Sequence, residues 1–159
     1  MADDHTLRSA TRADQALISA MQYEALFVPP GDDPFPLSIL DQPQIRKYHV
    51  GFGTRAGDVG VVAESVDGRP FGAAWVRLVE GYGFVDPGAP ELGVAVDRGR
   101  RGKGIGTAML RELFGVVPRC SLSVDTRNPA IRLYERLGFV TVRTDGDHSA
   151  IMLRESDGS

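Results

Sequence analysis

A short segment rich in glycine and basic residues constrains this chain more than any other part of its sequence. Residues Arg98–Thr107 read RGRRGKGIGT and lie between a predicted strand and a predicted helix. Glycine permits backbone conformations that other residues avoid, so successive N–H groups can converge on one point. A helix that begins there adds its free N–H groups and the positive end of its dipole. This glycine-rich segment therefore predicts a cradle for an anion, most naturally a pyrophosphate.

Two common phosphate-binding motifs do not fit the glycine-rich segment. A P-loop requires G-x-x-x-x-G-K-[ST], whereas Lys103 is followed by glycine. The dinucleotide fingerprint requires G-x-G-x-x-G, whereas Gly102, Gly104 and Gly106 alternate with single residues. The alternative is a solvated basic turn. Such a turn requires only one or two glycines, so it does not explain three alternating glycines at the start of a helix. We therefore favour the anion cradle over the basic turn.

The pattern around this segment predicts an α/β fold with a single sheet. Strands are predicted at 6–9, 59–66, 71–79, 91–96, 120–124, 139–144 and 148–154, and helices near 11–25, 37–48, 104–114 and 128–137. The Asp67-Gly68 pair is typical of a hairpin, which makes its strands antiparallel, whereas strand–helix–strand crossovers make strands parallel. The order of elements therefore predicts a three-layer α-β-α sandwich with one mixed, largely antiparallel sheet.

Composition narrows the class of protein. The 159 residues predict a single domain spanning 1–159, and a net charge of −3 disfavours a protein that binds nucleic acid. The lone Cys120 excludes a cysteine-based zinc site, and its alternation with serines in 120–124 predicts a buried structural thiol. The three histidines lack metal-ligand spacing, so we expect no metal. No apolar run approaches the ~20 residues of a membrane span, and the acidic N-terminus lacks a signal-peptide pattern. We expect a cytoplasmic protein that does not contact membranes.

Two segments together resemble the GCN5-related N-acetyltransferase (GNAT) family. Arg101–Gly106 fits that family's R/Q-x-x-G-x-G/A pattern, and Asn128–Phe139 (NPAIRLYERLGF) is similar to its second hallmark segment. Leu92–Asp97 looks like the family's bulged fourth strand, and the order of elements agrees. The resemblance covers roughly residues 71–153. It implies the acyl-CoA N-acyltransferase-like fold and a direct transfer of acetyl from acetyl-CoA to an amine.

The resemblance also implies which residues hold acetyl-CoA. The backbone N–H groups of Val94 and Val96 would bind the pantetheine and polarise the thioester carbonyl, although both valines could also be ordinary inward-facing strand residues. The residues implied to bind the donor are Val94, Ala95, Val96, Arg101, Gly102, Lys103, Gly104, Ile105, Gly106, Thr107 and Asn128. The family's asparagine precedes its tyrosine by seven residues, whereas Asn128 precedes Tyr134 by six. One residue rotates a helix by roughly 100°, so we expect Asn128 to act first as a helix cap.

Tyr134 would be the general acid, because a phenol is protonated at neutral pH and can donate to a departing thiolate. Its position on the apolar face of a helix also allows simple packing, but the family match favours catalysis. An amine must lose a proton before it attacks, so a base is expected. Glu91 is the first candidate and Asp125 the second, and each could instead be a solvated carboxylate at a strand end. Ser123 stands where some relatives that act on protein N-termini carry a basic glutamate.

The acceptor is expected to be the primary amine of a small molecule or peptide. The fold implies a pocket lined by Met21, Tyr23, Glu24, Phe27, Asp32, Asp33, Phe35, Trp75, Tyr82 and Phe84. Aromatic residues with a few carboxylates suit an amine with an apolar body. Two alternatives stay open, namely an acyl-CoA sensor without transferase activity and a nucleic-acid module that uses the basic residues of the glycine-rich segment. Many members of the family dimerise through sheet edges or C-terminal strands, which allows a homodimer here.

Overall fold

Seven strands form one sheet in the computed structural model, which describes residues 5–155. The strands are β1 (His5–Ser9), β2 (Val59–Ser65), β3 (Pro70–Arg77), β4 (Glu91–Val96), β5 (Cys120–Asp125), β6 (Phe139–Asp145) and β7 (Ser149–Arg154). They lie in the order β1-β2-β3-β4-β5-β7-β6, and each neighbouring pair is antiparallel except β4 and β5. The predicted mixed, largely antiparallel sheet is confirmed. The acidic start of the chain, on which the expectation of no signal peptide rests, lies partly outside the described residues.

Four α-helices accompany the sheet: α1 (Gln15–Ala25), α2 (Pro43–Arg46), α3 (Ile105–Phe114) and α4 (Ala130–Arg136). A capping box precedes α1: the Thr11 side chain accepts from the Ala13 N–H, and the Asp14 carboxylate accepts from the Thr11 N–H. The prediction of one helix over 37–48 was wrong, because a 3-10 turn at Leu37–Asp41 and the single turn of α2 replace it. Pro43 disfavours helical backbone at Gln42, whose ψ of 136° is extended.

The helices cover both faces of the sheet, as predicted. On one face α3 buries Ile105, Met109 and Leu113 against the central strands, and α4 packs against the same core. On the other face α1 packs Ile18 and Met21 against a second core. The sheet is thus the middle layer of an α-β-α sandwich, and β4 contributes side chains to both cores. None of the helices within residues 5–155 is long and apolar enough to cross a membrane.

The parallel strands β4 and β5 pair only at their first residues. Glu91 is the partner of Ser121, and the Ser121 N–H donates to the Pro90 carbonyl at 2.9 Å. Beyond that point β4 stays with β3 as far as Val96, whereas β5 stays with β7, so the two strands diverge. The predicted bulge in β4 was wrong, because this strand pairs with β3 residue for residue. The divergence of β5, rather than a bulge, frees the edge of β4.

Candidate active site

A cavity of about 910 Å³ opens where β4 and β5 diverge. Residues Val94–Val96 of β4 line it, together with the glycine-rich segment that follows them. The end of α1 and its following residues, Tyr23–Val28, line it as well, and so does the start of α4. The structure therefore brings β4, the glycine-rich segment and Tyr134 to one cavity, although they are distant in sequence. Of the residues predicted to bind the donor, all but Lys103 line this cavity.

Two backbone N–H groups of β4 face the gap that β5 leaves. The direction of the N–H and C=O groups alternates along a strand. The Pro90 carbonyl accepts from β5, whereas the Asp97 N–H donates to the Phe71 carbonyl beside β3 at 2.8 Å. By this alternation Val94 and Val96 point their N–H groups away from β3, toward the side on which β5 no longer pairs. These are the two donors that the sequence predicted, and their valine side chains also contact the core.

The glycines of the glycine-rich segment have different physical roles. Gly102 and Gly104 both have φ of +79°, a left-handed conformation that other residues adopt only with strain. Gly104 is also the N-cap residue of α3, where no side chain caps the helix, so the first N–H groups of α3 have no capping side chain. Gly106 has an ordinary helical φ, and a Cβ at this position would meet no protein atom within 4 Å. Because neither backbone nor packing requires glycine there, its absent side chain fits a bound phosphate at the start of α3.

Arginines of the glycine-rich segment are held by specific contacts. The Arg101 Nε donates to the Val96 carbonyl at 2.9 Å, which ties the segment to the end of β4. The Arg101 Nη2 and the Arg98 Nε lie 3.3 and 3.4 Å from the Glu24 Oε1. The Arg100 guanidinium lies over the Phe71 ring, 4.2 Å from its centroid. Positive charge is therefore anchored at this end of the cavity, where a phosphate group would gain from it.

Tyr134 lies in α4 with its ring at 65° to Phe139 and 5.7 Å between centroids. It packs against the core, as the packing alternative predicted, and it also lines the cavity, where its catalytic role stays a prediction. Burial raises its pKa to about 12, which keeps the phenol protonated at neutral pH. Among residues 5–155, no group accepts or donates a hydrogen bond at its hydroxyl. The Tyr134 phenol can therefore donate its proton into the cavity without first breaking a hydrogen bond to any of residues 5–155.

Asn128 acts as a helix cap, as predicted. Its Oδ1 accepts from the Ala130 N–H at 2.9 Å, and α4 begins at Ala130, so this side chain satisfies one of the first N–H groups of the helix. The residue also lines the cavity.

Glu91 does not have the environment expected of a general base, and the prediction of that role needs correction. Its side chain is buried, with 1% exposed, and it does not line the cavity. Its carboxylate accepts from the Tyr48 hydroxyl at 2.6 Å and from the N–H groups of Gly81 and Gly83 at 2.6 and 2.9 Å. Nor is it a solvated strand-end carboxylate. Glu91 fastens the loop of residues 78–90, here named the tethered loop, to the start of β4.

Tyr48 completes this network, and sequence reasoning missed it because it lies 43 residues from Glu91. Its hydroxyl donates to Glu91 and accepts from the Tyr82 N–H at 2.7 Å. Burial, with the nearby negative charge of Glu91, raises the Tyr48 pKa well above its ordinary value. The phenol therefore stays protonated and acts as a fixed donor.

Asp125 is also poorly suited to accept a proton. Both carboxylate oxygens accept from the Arg127 guanidinium, at 2.9 and 2.7 Å. These hydrogen bonds lower the pKa of Asp125 to about 2. A carboxylate that is so weakly basic takes a proton from an ammonium ion only with difficulty near neutral pH.

The predicted acceptor pocket is only partly assembled at the cavity. Tyr23, Glu24, Phe27 and Phe35 line it. Met21 and Trp75 belong instead to the core under α1, where 3% and 1% of them are exposed. Phe84 lines a separate, smaller cavity of about 160 Å³ under the tethered loop. The sequence missed Leu26, Val28 and Pro34, apolar residues that the turn of the chain after α1 carries to the main cavity.

The cavity differs from a metal centre in its side chains. Within residues 5–155, no group of three or more His, Cys, Asp or Glu residues could hold a metal ion. Cys120 is buried in the core, where burial raises the pKa of its thiol to about 12. It is therefore a packed, unreactive thiol, as its alternation in β5 predicted.

Comparison with known proteins agrees with this geometry. A family model of the acetyltransferase (GNAT) domain matches residues 56–141, which is more than half of the chain. No curated protein sequence matches the chain.

Solved structures of low sequence identity share the fold. A GNAT-family acetyltransferase from Streptococcus pneumoniae is 18% identical, with a TM-score of 0.65 over 95% of this chain and 98% of that one. The PaiA N-acetyltransferase from Thermoplasma acidophilum, in complex with coenzyme A, is 15% identical, with a TM-score of 0.66 over 96% and 99%. The spermidine/spermine N-acetyltransferase SpeG from Vibrio cholerae is 17% identical, with a TM-score of 0.57 over 94% and 90%. The chain belongs to the GNAT family of acetyltransferases, enzymes for which acetyl-CoA is the acetyl donor.

Proposed function

We propose that this enzyme transfers acetyl directly from acetyl-CoA to the primary amine of a small molecule or peptide, within the cavity between β4 and β5. The observation that carries the proposal is that this cavity unites the free N–H groups of Val94 and Val96 with the glycine-rich segment and the Tyr134 hydroxyl. The seven strands of residues 5–155 form one sheet, and the cavity opens between its fourth and fifth strands, β4 and β5. We therefore propose that the whole chain works as one acetyltransferase domain.

The donor would bind along β4 and the start of α3. Gly104, Ile105, Gly106 and Thr107 would hold its diphosphate with the N–H groups at the start of α3, and Arg101 would add positive charge. The pantetheine would lie where a strand paired with β4 would otherwise run. The Val94 and Val96 N–H groups would donate to its amide carbonyl oxygens and to the carbonyl oxygen of the thioester. Acetyl-CoA supplies a thioester whose carbonyl carbon accepts the amine. N–H donors fixed in the fold stabilise the negative charge that develops on that carbonyl oxygen.

Tyr134 would supply the proton that the leaving sulfur needs. Its raised pKa keeps the phenol protonated until negative charge develops on a neighbouring atom. Its hydroxyl has no hydrogen-bond partner within residues 5–155 that would have to be broken first. The ammonium ion of the acceptor first loses a proton to solvent, because only the neutral amine attacks the carbonyl carbon. As the C–N bond forms and the C–S bond breaks, Tyr134 protonates the sulfur, and the phenolate then regains the proton that the amide nitrogen loses.

The acceptor wall favours an amine with an apolar body. Tyr23, Phe27 and Phe35 line the cavity, and the Tyr23 hydroxyl donates to the Phe35 carbonyl at 2.5 Å, which closes the α1 end against the loop that follows it. Glu24 is the one carboxylate among the described residues that line this cavity, and two arginines already contact it. Polyamines, the acceptors named for the Vibrio cholerae relative, would need more negative charge than this wall offers.

An acceptor screen tests the proposal. The purified protein would be incubated with acetyl-CoA and amines of matched length that are either apolar, such as arylalkylamines, or polycationic, such as spermidine. Release of the free thiol of coenzyme A reports transfer. We expect thiol release that depends on an apolar primary amine. Thiol release with spermidine alone would contradict the proposed acceptor class, and no release with any primary amine would contradict amine transfer.

A further inference from the structure

Glu24 forms a bridge across the donor end of the cavity. It is the penultimate residue of α1, and its Oε1 lies 3.3 Å from the Arg101 Nη2 and 3.4 Å from the Arg98 Nε. All three residues line the cavity, and Glu24 is partly buried, with 23% of its side chain exposed. A carboxylate from one wall thus contacts Arg101, which the proposed function assigns to the diphosphate, and the neighbouring Arg98.

The position of Glu24 is unfavourable for the helix that carries it. The C-terminal end of an α-helix has partial negative charge, so a carboxylate in the last turn is locally destabilising. The last turn of α1 carries no basic residue to offset this. The compensation comes from across the cavity, from Arg98 and Arg101. The helix alone therefore gives no reason for glutamate at this position, whereas the arginines do.

Both ion-pair contacts of Glu24 are longer than typical charge-assisted hydrogen bonds, so another anion can replace the carboxylate. Charge-assisted N–H···O⁻ bonds are typically about 2.7–2.9 Å long. The Arg119–Asp86 pair of this molecule reaches 2.7 Å, whereas both contacts of Glu24 exceed 3.2 Å. Arg98 is also 75% exposed, so its guanidinium can turn toward another anion. Arg101 keeps its bond to the Val96 carbonyl whichever anion its other nitrogens contact.

We propose that the Glu24 carboxylate is an internal competitor of the donor's diphosphate. In the free protein it neutralises Arg98 and Arg101, and on donor binding the two guanidinium groups exchange this carboxylate for phosphate oxygens. The proposal rests on the placement of the diphosphate at the glycine-rich segment. The donor therefore binds less tightly than the two arginines alone would allow, because each binding event must first displace Glu24.

Calorimetric titration with coenzyme A tests the competition. The variant is Glu24→Gln, which keeps the size of the side chain and removes its charge. The matched control is Glu112→Gln on the exposed side of α3, outside the cavity lining. We expect Glu24→Gln to bind coenzyme A about threefold to tenfold more tightly, the range for loss of weak, partly exposed ion pairs. The gain should shrink as salt is raised about tenfold, since exposed charges are then screened. Glu112→Gln should bind like the wild type.

Two further ligands identify which group the carboxylate competes with. Dephospho-coenzyme A keeps the diphosphate and lacks the 3′-phosphate, so Glu24→Gln should gain as much affinity for it as for coenzyme A. Pantetheine lacks both, so the two proteins should bind it equally. A gain confined to coenzyme A would overturn the diphosphate as the competing group, and a gain with pantetheine would show that packing, not charge, has changed.

The remaining outcomes separate the two proposals. Unchanged or weaker binding of coenzyme A by Glu24→Gln would overturn the competition, because the carboxylate would then be neutral toward the arginines or needed to hold them. If the wild type itself does not bind coenzyme A, the proposed donor site fails instead. A thermal melt of each variant checks that the fold is intact.

Discussion

The two ends of β4 differ in whether their polar groups have hydrogen-bond partners within the protein. At its start, the Glu91 carboxylate accepts from Tyr48, Gly81 and Gly83, and these contacts seal the tethered loop against the sheet. At its end, Val94 and Val96 direct N–H groups into a gap, and the uncapped start of α3 adds more. Polar groups satisfied within the protein stabilise the fold, whereas groups left open in a cavity are available to a ligand. Glu91 and Val94 differ in this way although only three positions separate them.

The largest effect should come from filling the open end. In Gly106→Leu the new Cβ meets no protein atom within 4 Å, so the fold should be retained, but the side chain would occupy the proposed phosphate position. We expect coenzyme A to bind about a hundredfold more weakly, equivalent to ~2.7 kcal/mol, as measured by calorimetry. Gly99→Leu, also in open space but outside the cavity lining, is the control. If Gly106→Leu and the wild type bound coenzyme A with equal affinity, the placement of the phosphate at the start of α3 would be contradicted.

Tyr134→Phe should separate catalysis from binding at the same end. The hydroxyl has no hydrogen-bond partner among the described residues, so its loss should leave stability and the Kd of coenzyme A nearly unchanged. We expect kcat to fall about a hundredfold, the lower range for loss of a general acid. Tyr82→Phe is the control: Tyr82 is half exposed on the tethered loop and, contrary to the acceptor-pocket prediction, does not line the cavity, so this variant should retain full activity.

The pH dependence supplies a second check of Tyr134. With its pKa raised to about 12, this phenol keeps its proton across the working range, so no basic limb of the rate below about pH 10 should arise from it. A kcat unaffected by Tyr134→Phe would rule out the acid role.

Breaking the sealed end should affect stability rather than chemistry. Glu91→Gln replaces one acceptor oxygen by an NH₂ group that faces existing donors, which leaves buried groups unsatisfied. We expect the free energy of unfolding to fall by about 2 to 3 kcal/mol in denaturant titration. The kcat of the folded fraction should stay within about twofold of wild type. The reverse result, normal stability with lost activity, would restore Glu91 as the base.

The smallest effect is expected for Asp125→Asn. Arg127 lowers the pKa of this carboxylate to about 2, so the group is fully ionised near neutral pH and does not titrate there. Stability that depends on this charge is present above about pH 4 and is lost only as the pH falls through about 2. We expect kcat/KM to change less than about twofold between pH 6 and 9. A loss of the acid limb of the pH profile in this variant would identify Asp125 as the base.

Sequence reasoning worked best where one residue type has one physical use. The glycine-rich segment predicted a sharply turning backbone, and Gly102 and Gly104 are left-handed there; the alternation in β5 predicted a buried Cys120. Both predictions depend only on the local chain. It failed where partners are far apart. Tyr48 gives Glu91 its role, and the contact of Trp75 with Gly93 places that ring in the core rather than in the acceptor pocket. The short α2 shows that one proline outweighs a weak helical pattern.

The central claim is that the donor binds through the open end of β4 and the start of α3. Amide NMR spectra of the ¹⁵N-labelled protein, recorded while coenzyme A is added, test it directly. We predict the largest shift changes at the N–H groups of Val94, Val96 and Gly106, with Gly81 and Gly83 at the sealed end nearly unchanged. Saturable binding that leaves Val94 and Val96 unperturbed, with the main changes elsewhere in the sheet, would contradict the claim.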